Sequence, residues 1–99
     1  MSAARKALEG LIAATPEPPA GAEPGDIVEA GREMVRARSQ WMSELYALGK
    51  EAVETDPNAS ELVALIRDRD RAWTRAFELA HQELNLRRTN VRRLRQRRR

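Results

Sequence analysis

Glu78-Leu79-Ala80-His81 sets a carboxylate and an imidazole three residues apart. Helical bundles hold pairs of iron or manganese ions through this Glu-x-x-His spacing when a glutamate from a facing helix completes the set. Glu33 would supply that glutamate, since a hairpin folded about Pro57 sets it level with His81. The angular positions argue the other way: with Trp73 at zero, His81 lies about 80° around a helix and Glu78 about 140°, on the solvent side. Glu33, Glu78 and His81 are thus metal ligands only where two copies bring these flanks together, and the sequence implies neither a metal nor a cofactor. It holds no Ser/His/Asp set, no phosphate loop and no pair of inward carboxylates, so it is not expected to be an enzyme.

Charge is the stronger chemical signal. Arg87, Arg88, Arg92, Arg93, Arg95, Arg97, Arg98 and Arg99 crowd into the last fifteen residues without an acid among them, whereas residues 1–84 hold ten basic and fifteen acidic residues. Like charges so clustered repel unless a polyanion or an acidic surface lies beside them, so these arginines are the candidate partner-binding or polyanion-binding residues. The stretch has no aromatic side chain to stack on bases, and the chain has no helix-turn-helix, zinc-finger or RNA-recognition motif. Any nucleic-acid contact through the tail is therefore expected to be independent of base sequence.

Ninety-nine residues with 41% hydrophobic and four aromatic side chains allow one small core. Absence of cysteine removes disulfides and thiolate metal sites and fits a cytoplasmic setting. No apolar run reaches membrane-spanning length, and no membrane association is expected.

Three elements must position these charges. Residues 1–14 form a short helix capped by Ser2, with Leu8, Leu11 and Ile12 on one side, too short to persist without docking. Residues 15–25 contain four of the five prolines and read as an extended, semi-rigid linker. Residues 26–99 form a helical hairpin, with one helix over 26–54 and the other over 58–97. Asp26 with Glu29 and Asn58 with Glu61 are the capping pairs, and Asp56-Pro57 is the break.

On the first long helix Ile27, Met34, Trp41, Leu45, Leu48 and Ala52 form a seam, with Gly31 and Arg38 at its weaker positions. On the second, Leu62, Ile66, Trp73, Ala76, Phe77, Ala80, Leu84, Val91 and Leu94 do so, with Arg69 the polar exception. A tight turn at Pro57 pairs residues whose numbers sum to about 114, setting Trp41 opposite Trp73 and Leu48 opposite Ile66. Arg38 and Arg69 then reach outward to acids such as Glu44 or Asp70, or else specify register. Val28, Val35, Met42, Tyr46 and Val53 make a second ridge on the first long helix, a self-association surface unless the N-terminal helix covers it. The second long helix outruns the first by about ten residues, so residues 87–99 overhang.

The expected fold is all-α: a long antiparallel, coiled-coil-like hairpin completed by the N-terminal helix as a three-helix unit, or by a second copy as a dimeric four-helix bundle. A small helical hairpin with an arginine-rich end resembles, in architecture, bacterial flagellar and type III secretion export chaperones and other small coiled-coil adaptors. The expected function is that of a non-catalytic adaptor or chaperone-like protein-interaction module, homo-oligomeric, with a basic docking tail. Sequence-independent nucleic-acid binding through the tail is the first alternative and a ferritin-like metal-binding hairpin the second.

Overall fold

The structure, a computed structural model, describes residues 2–97, with side chains to residue 95. All regular structure among them is helical: α1 (Ala3–Ala13), α2 (Pro24–Leu48), α3 (Lys50–Glu54) and α4 (Ala59–Arg97). Ser2 caps α1 as the sequence predicts, its hydroxyl accepting from Arg5 N–H at 3.1 Å. α2 begins two residues before the Asp26 expected to cap it. Pro24 takes the first turn, where its fixed φ suits a helix and its missing N–H costs nothing, and Glu23 occupies the cap position without a side-chain cap bond. Asp26 is left in the first turn, where its charge complements the helix dipole.

The predicted single helix over 26–54 is two. Gly49 adopts φ +85°, a left-handed conformation that ends α2 after Leu48, and α3 follows as a separate turn and a half. The connection therefore spans residues 49–58, and the hairpin is not folded tightly about Pro57. Register shifts with it: Arg38 meets Asp70, and Phe77 packs over Gly31, pairs whose numbers sum to 108 in place of 114. At the start of α4, Asp56 Oδ1 accepts from Asn58 N–H at 2.9 Å in an Asx turn. The expected Asn58–Glu61 capping pair makes no side-chain bond among the described residues. Asp56 also accepts from the Ser2 hydroxyl, which ties the beginning of α1 to the hairpin turn. That bond first, then the one from Asn58 N–H and the charge of Arg5, hold the Asp56 carboxyl below its usual range.

α1 docks on its own hairpin. Leu8 and Leu11 are buried with Ala59 and Ile66 of α4, and Ile12, Trp41, Leu45, Val53, Leu62 and Val63 close around them. Two features that look unfavourable in the sequence make this docking possible. Gly10, an apparent interruption of the apolar stretch, lies against the face of the Trp41 ring, where an added Cβ would come within 2.5–2.6 Å of three ring atoms. Arg69, the charged exception in the α4 seam, donates from Nη1 to the carbonyls of Ile12 at 2.8 Å and Thr15 at 3.0 Å. A guanidinium there adds a second donor to a carbonyl of the last turn of α1, bonds another just beyond it, and complements the negative end of the helix dipole. The expectation that Arg69 reaches outward to an acid is thus corrected, while Arg38 does pair with Asp70, at 2.6 Å.

The linker is tied down as well. Thr15, wholly buried, donates its hydroxyl to Leu11 O at 2.7 Å, and Trp73 Nε1 donates to Pro16 O at 2.7 Å. Arg87 grips Glu23 at 3.0 Å at the other end of the linker. The fourteen residues of α4 between Trp73 and Arg87 rise about 21 Å, a span that the seven residues from Pro16 to Glu23 reach only when largely extended. The proline-rich composition thus becomes a strut along α4. Trp73 pairs with Phe77, ring centroids 5.6 Å apart, and Trp41 serves α1; the two tryptophans do not form the shared layer predicted from the 114 register.

Gly10→Ala measures how closely α1 must approach. Alanine favours a helix over glycine by about 1 kcal/mol, whereas overpacking a well-filled contact costs about 1–3 kcal/mol. Because the clash is with an indole ring flanked by core, the expected net effect is a loss of up to about 2 kcal/mol, read from the urea midpoint. A raised midpoint would show that Trp41 moves aside freely.

Candidate docking surface

α4 is the scaffold for the charged end. Its 39 residues rise about 58 Å and dominate the 66 Å long axis of the molecule. α2 begins level with Arg87, so the part of α4 beyond it, about ten residues or 15 Å, runs past the body. Arg87 belongs to the body: it bridges Glu23 and, at 2.9 Å, Glu83. Its hydrogen bonds to Glu23 and then Glu83 raise its pKa further. Arg88, Arg92, Arg93 and Arg95 are exposed and form no ion pair among the described residues. Arg97 closes the described helix, its side chain outside the described set, and Arg98 and Arg99 lie outside the described residues. Val91 and Leu94, predicted to continue the seam, are 48% and 60% exposed, because α2 does not extend far enough to meet them.

The predicted second ridge is divided. Val53, which falls on α3, packs on the core and Val28 of α2 is half-buried, while Val35, Met42 and Tyr46 of α2 are 57%, 45% and 92% exposed. α1 covers the hairpin face that contains Trp41 and leaves this one open. Val28, Gly31, Val35 and Phe77 line a groove there, with Arg32, Arg36 and His81 at its rim. Further along α4, Leu84, Arg87, Arg88, Val91, Arg92 and Arg95 share a continuous face. Neither lining contains a carboxylate, although the chain has fifteen.

The metal candidates do not converge. Glu33, Glu78 and His81 are all exposed, and no group of three or more His, Cys, Asp or Glu side chains among the described residues is placed to hold an ion. No described helix is long and apolar enough to cross a membrane.

Sequence reasoning passes over two features. Arg32 and Arg36 flank the open groove, visible only once the ridge and Phe77 are known to share it. Leu65, Ala72, Leu79 and Leu86 recur every seven residues on α4, and the three leucines are 41%, 56% and 63% exposed. The linker prolines Pro18 and Pro19 run beside Leu65, Ala72 and Leu79. That repeat is legible in the sequence, but the richer seam of Trp73 and Phe77 obscures it. No protein-family model, curated protein or solved structure matches the chain.

Proposed function

We propose that the protein is a non-catalytic helical docking module, of adaptor or chaperone-like kind, whose three-helix body presents the arginine-rich end of α4 to an acidic partner protein. One observation carries this reading: α4 continues as a helix past Arg87, with arginines that form no ion pair among the described residues and two exposed apolar side chains, Val91 and Leu94, on the same segment. A free cationic terminus needs no apolar residues, and phosphate contacts need only charge and donors. Apolar anchors ringed by arginine suit a protein surface, where buried aliphatic contact supplies affinity and charge supplies steering and orientation.

Sequence-independent nucleic-acid binding is the competing use of the same arginines, and self-association the competing use of the α2 ridge. The first is tested by anisotropy with a labelled random DNA duplex and with labelled poly-glutamate, each titrated with salt. Each phosphate contact contributes a slope of about −0.9 in log affinity against log salt. The adaptor reading expects DNA binding no tighter than the ordinary non-specific range of about 10⁻⁴ to 10⁻⁶ M at physiological salt. Sub-micromolar DNA binding that falls steeply with salt would make nucleic acid the partner. Sedimentation velocity settles whether the ridge is already covered by a second copy.

A further inference from the structure

Resting on that docking reading, we infer that the groove between α2 and α4, together with the exposed end of α4, forms one continuous seat for an acidic amphipathic helix of a partner protein. Phe77, His81, Leu84, Arg88, Val91 and Arg92 fall within an arc of about 100° on α4, so the groove lining and the overhang face are the same side of one rod. α2 contributes Val28 and Val35 as the opposite wall, with Arg32 and Arg36 above them. From Phe77 to Arg95 the seat is about 27 Å long, the length of an eighteen-residue helix.

Charge selects the occupant. The seat is apolar along its floor and cationic along its rim, no carboxylate lines it, and the acids that touch its lining, Glu23 and Glu83, are both taken up by Arg87 at its edge. A helix that lays leucine-like side chains on the floor would place flanking residues beside Arg32, Arg36, Arg88 and Arg92. Glutamates and aspartates there would meet opposite charge, and lysines would be repelled. A second copy of this chain fits less well: its own ridge carries Arg32 and Arg36, so ridge-to-ridge pairing sets arginines against arginines.

The test uses the full chain and three labelled twenty-residue peptides: one with leucines at helical spacing flanked by glutamates, a scramble of identical composition, and a version with lysine in place of glutamate. The ordered acidic peptide should bind at least about tenfold more tightly than either control, since both apolar register and charge are read. Arg32→Gln with Arg36→Gln should weaken it by about tenfold, and Arg32→Lys with Arg36→Lys should restore most of the affinity, because the loss is one of charge. Those residues are exposed, so the melting temperature should stay at the parent value in both variants, separating lost binding from lost fold.

Equal binding of the ordered and scrambled peptides would overturn the groove. So would unchanged affinity in Arg32→Gln/Arg36→Gln, alongside loss of binding when the α4 arginines are replaced: the tail alone would then dock, and the adaptor reading would stand without the seat. Tight binding of random DNA with no binding of any peptide would instead remove the adaptor reading itself. A parent dimer that excludes the peptide and dissociates on Val35→Glu/Met42→Glu would make a second copy the occupant and overturn the inference.

Discussion

Trp73→Ala should destabilise the protein by about 3–5 kcal/mol, the range for truncating a buried aromatic, and should do so more severely than Trp41→Ala. Trp73 is 3% exposed, packs against Phe77 with the rings tilted by 39°, and gives its indole N–H to Pro16 O. Three structures thus meet at one side chain: the α4 seam, the linker and, one turn away, the Arg69 bonds that end α1. Trp41 is only partly buried: it closes the edge of the Leu8, Leu11, Ala59 and Ile66 cluster, lies against Gly10 of α1, and has no side-chain hydrogen bond among the described residues. In a chain of this size the whole stability is about 5–15 kcal/mol, so removing the Trp73 ring would take away a large fraction of it. Trp73→Phe keeps a ring but deletes the donor, leaving the Pro16 carbonyl without that partner and costing about 1–3 kcal/mol. Urea denaturation of the three variants, with far-ultraviolet circular dichroism as the readout, checks the order. Equal effects of Trp41→Ala and Trp73→Ala would mean that the seat of Trp41 against α1 contributes as much as the Trp73 bond to the linker.

The two tryptophans also show what the sequence makes legible and what it does not. Helix periodicity is a local property, so α1, the two long helices and the seam residues Leu62, Ile66, Trp73 and Ala80 can be read directly. Register is not local. It depends on where α2 stops, and a glycine within a periodic stretch gives no sign by itself that it will adopt φ +85° and add α3 to the connection. The six-residue change in pairing follows from that one torsion.

Arg69 and Gly10 mislead for a related reason. Read along their own helices they are a charge in a seam and a gap in an apolar run, and only the docking of α1 on the hairpin gives each a partner. The docking surface is half legible: the arginine cluster is conspicuous in composition, whereas the Arg32 and Arg36 rim exists only through the way α2 and α4 are paired.

The second large effect concerns the end of α4. Changing Arg92, Arg93, Arg95, Arg97, Arg98 and Arg99 to glutamine, with Val91 and Leu94 kept, should leave thermal unfolding nearly unchanged. Arg92, Arg93 and Arg95 are exposed and make no ion pair among the described residues, and exposed charges contribute little to folding. Arg87, which does tie α4 to Glu23, is deliberately retained. Binding to an acidic partner should fall by at least about a hundredfold at low salt and lose most of its dependence on ionic strength, the remainder being carried by Arg32, Arg36 and Arg88, because screening within a Debye length of about 10 Å acts only on charges that are present. Anisotropy with the ordered glutamate peptide at two salt concentrations reads both effects on one sample. A DNA ligand would behave distinguishably: the log–log salt slope would flatten by about 0.9 for each phosphate no longer neutralised, in proportion to the number of arginines replaced. If the six-fold variant instead holds the acidic peptide as tightly as the parent, the arginines only keep the terminus solvated, and whatever this protein binds is held by the faces of its helical body.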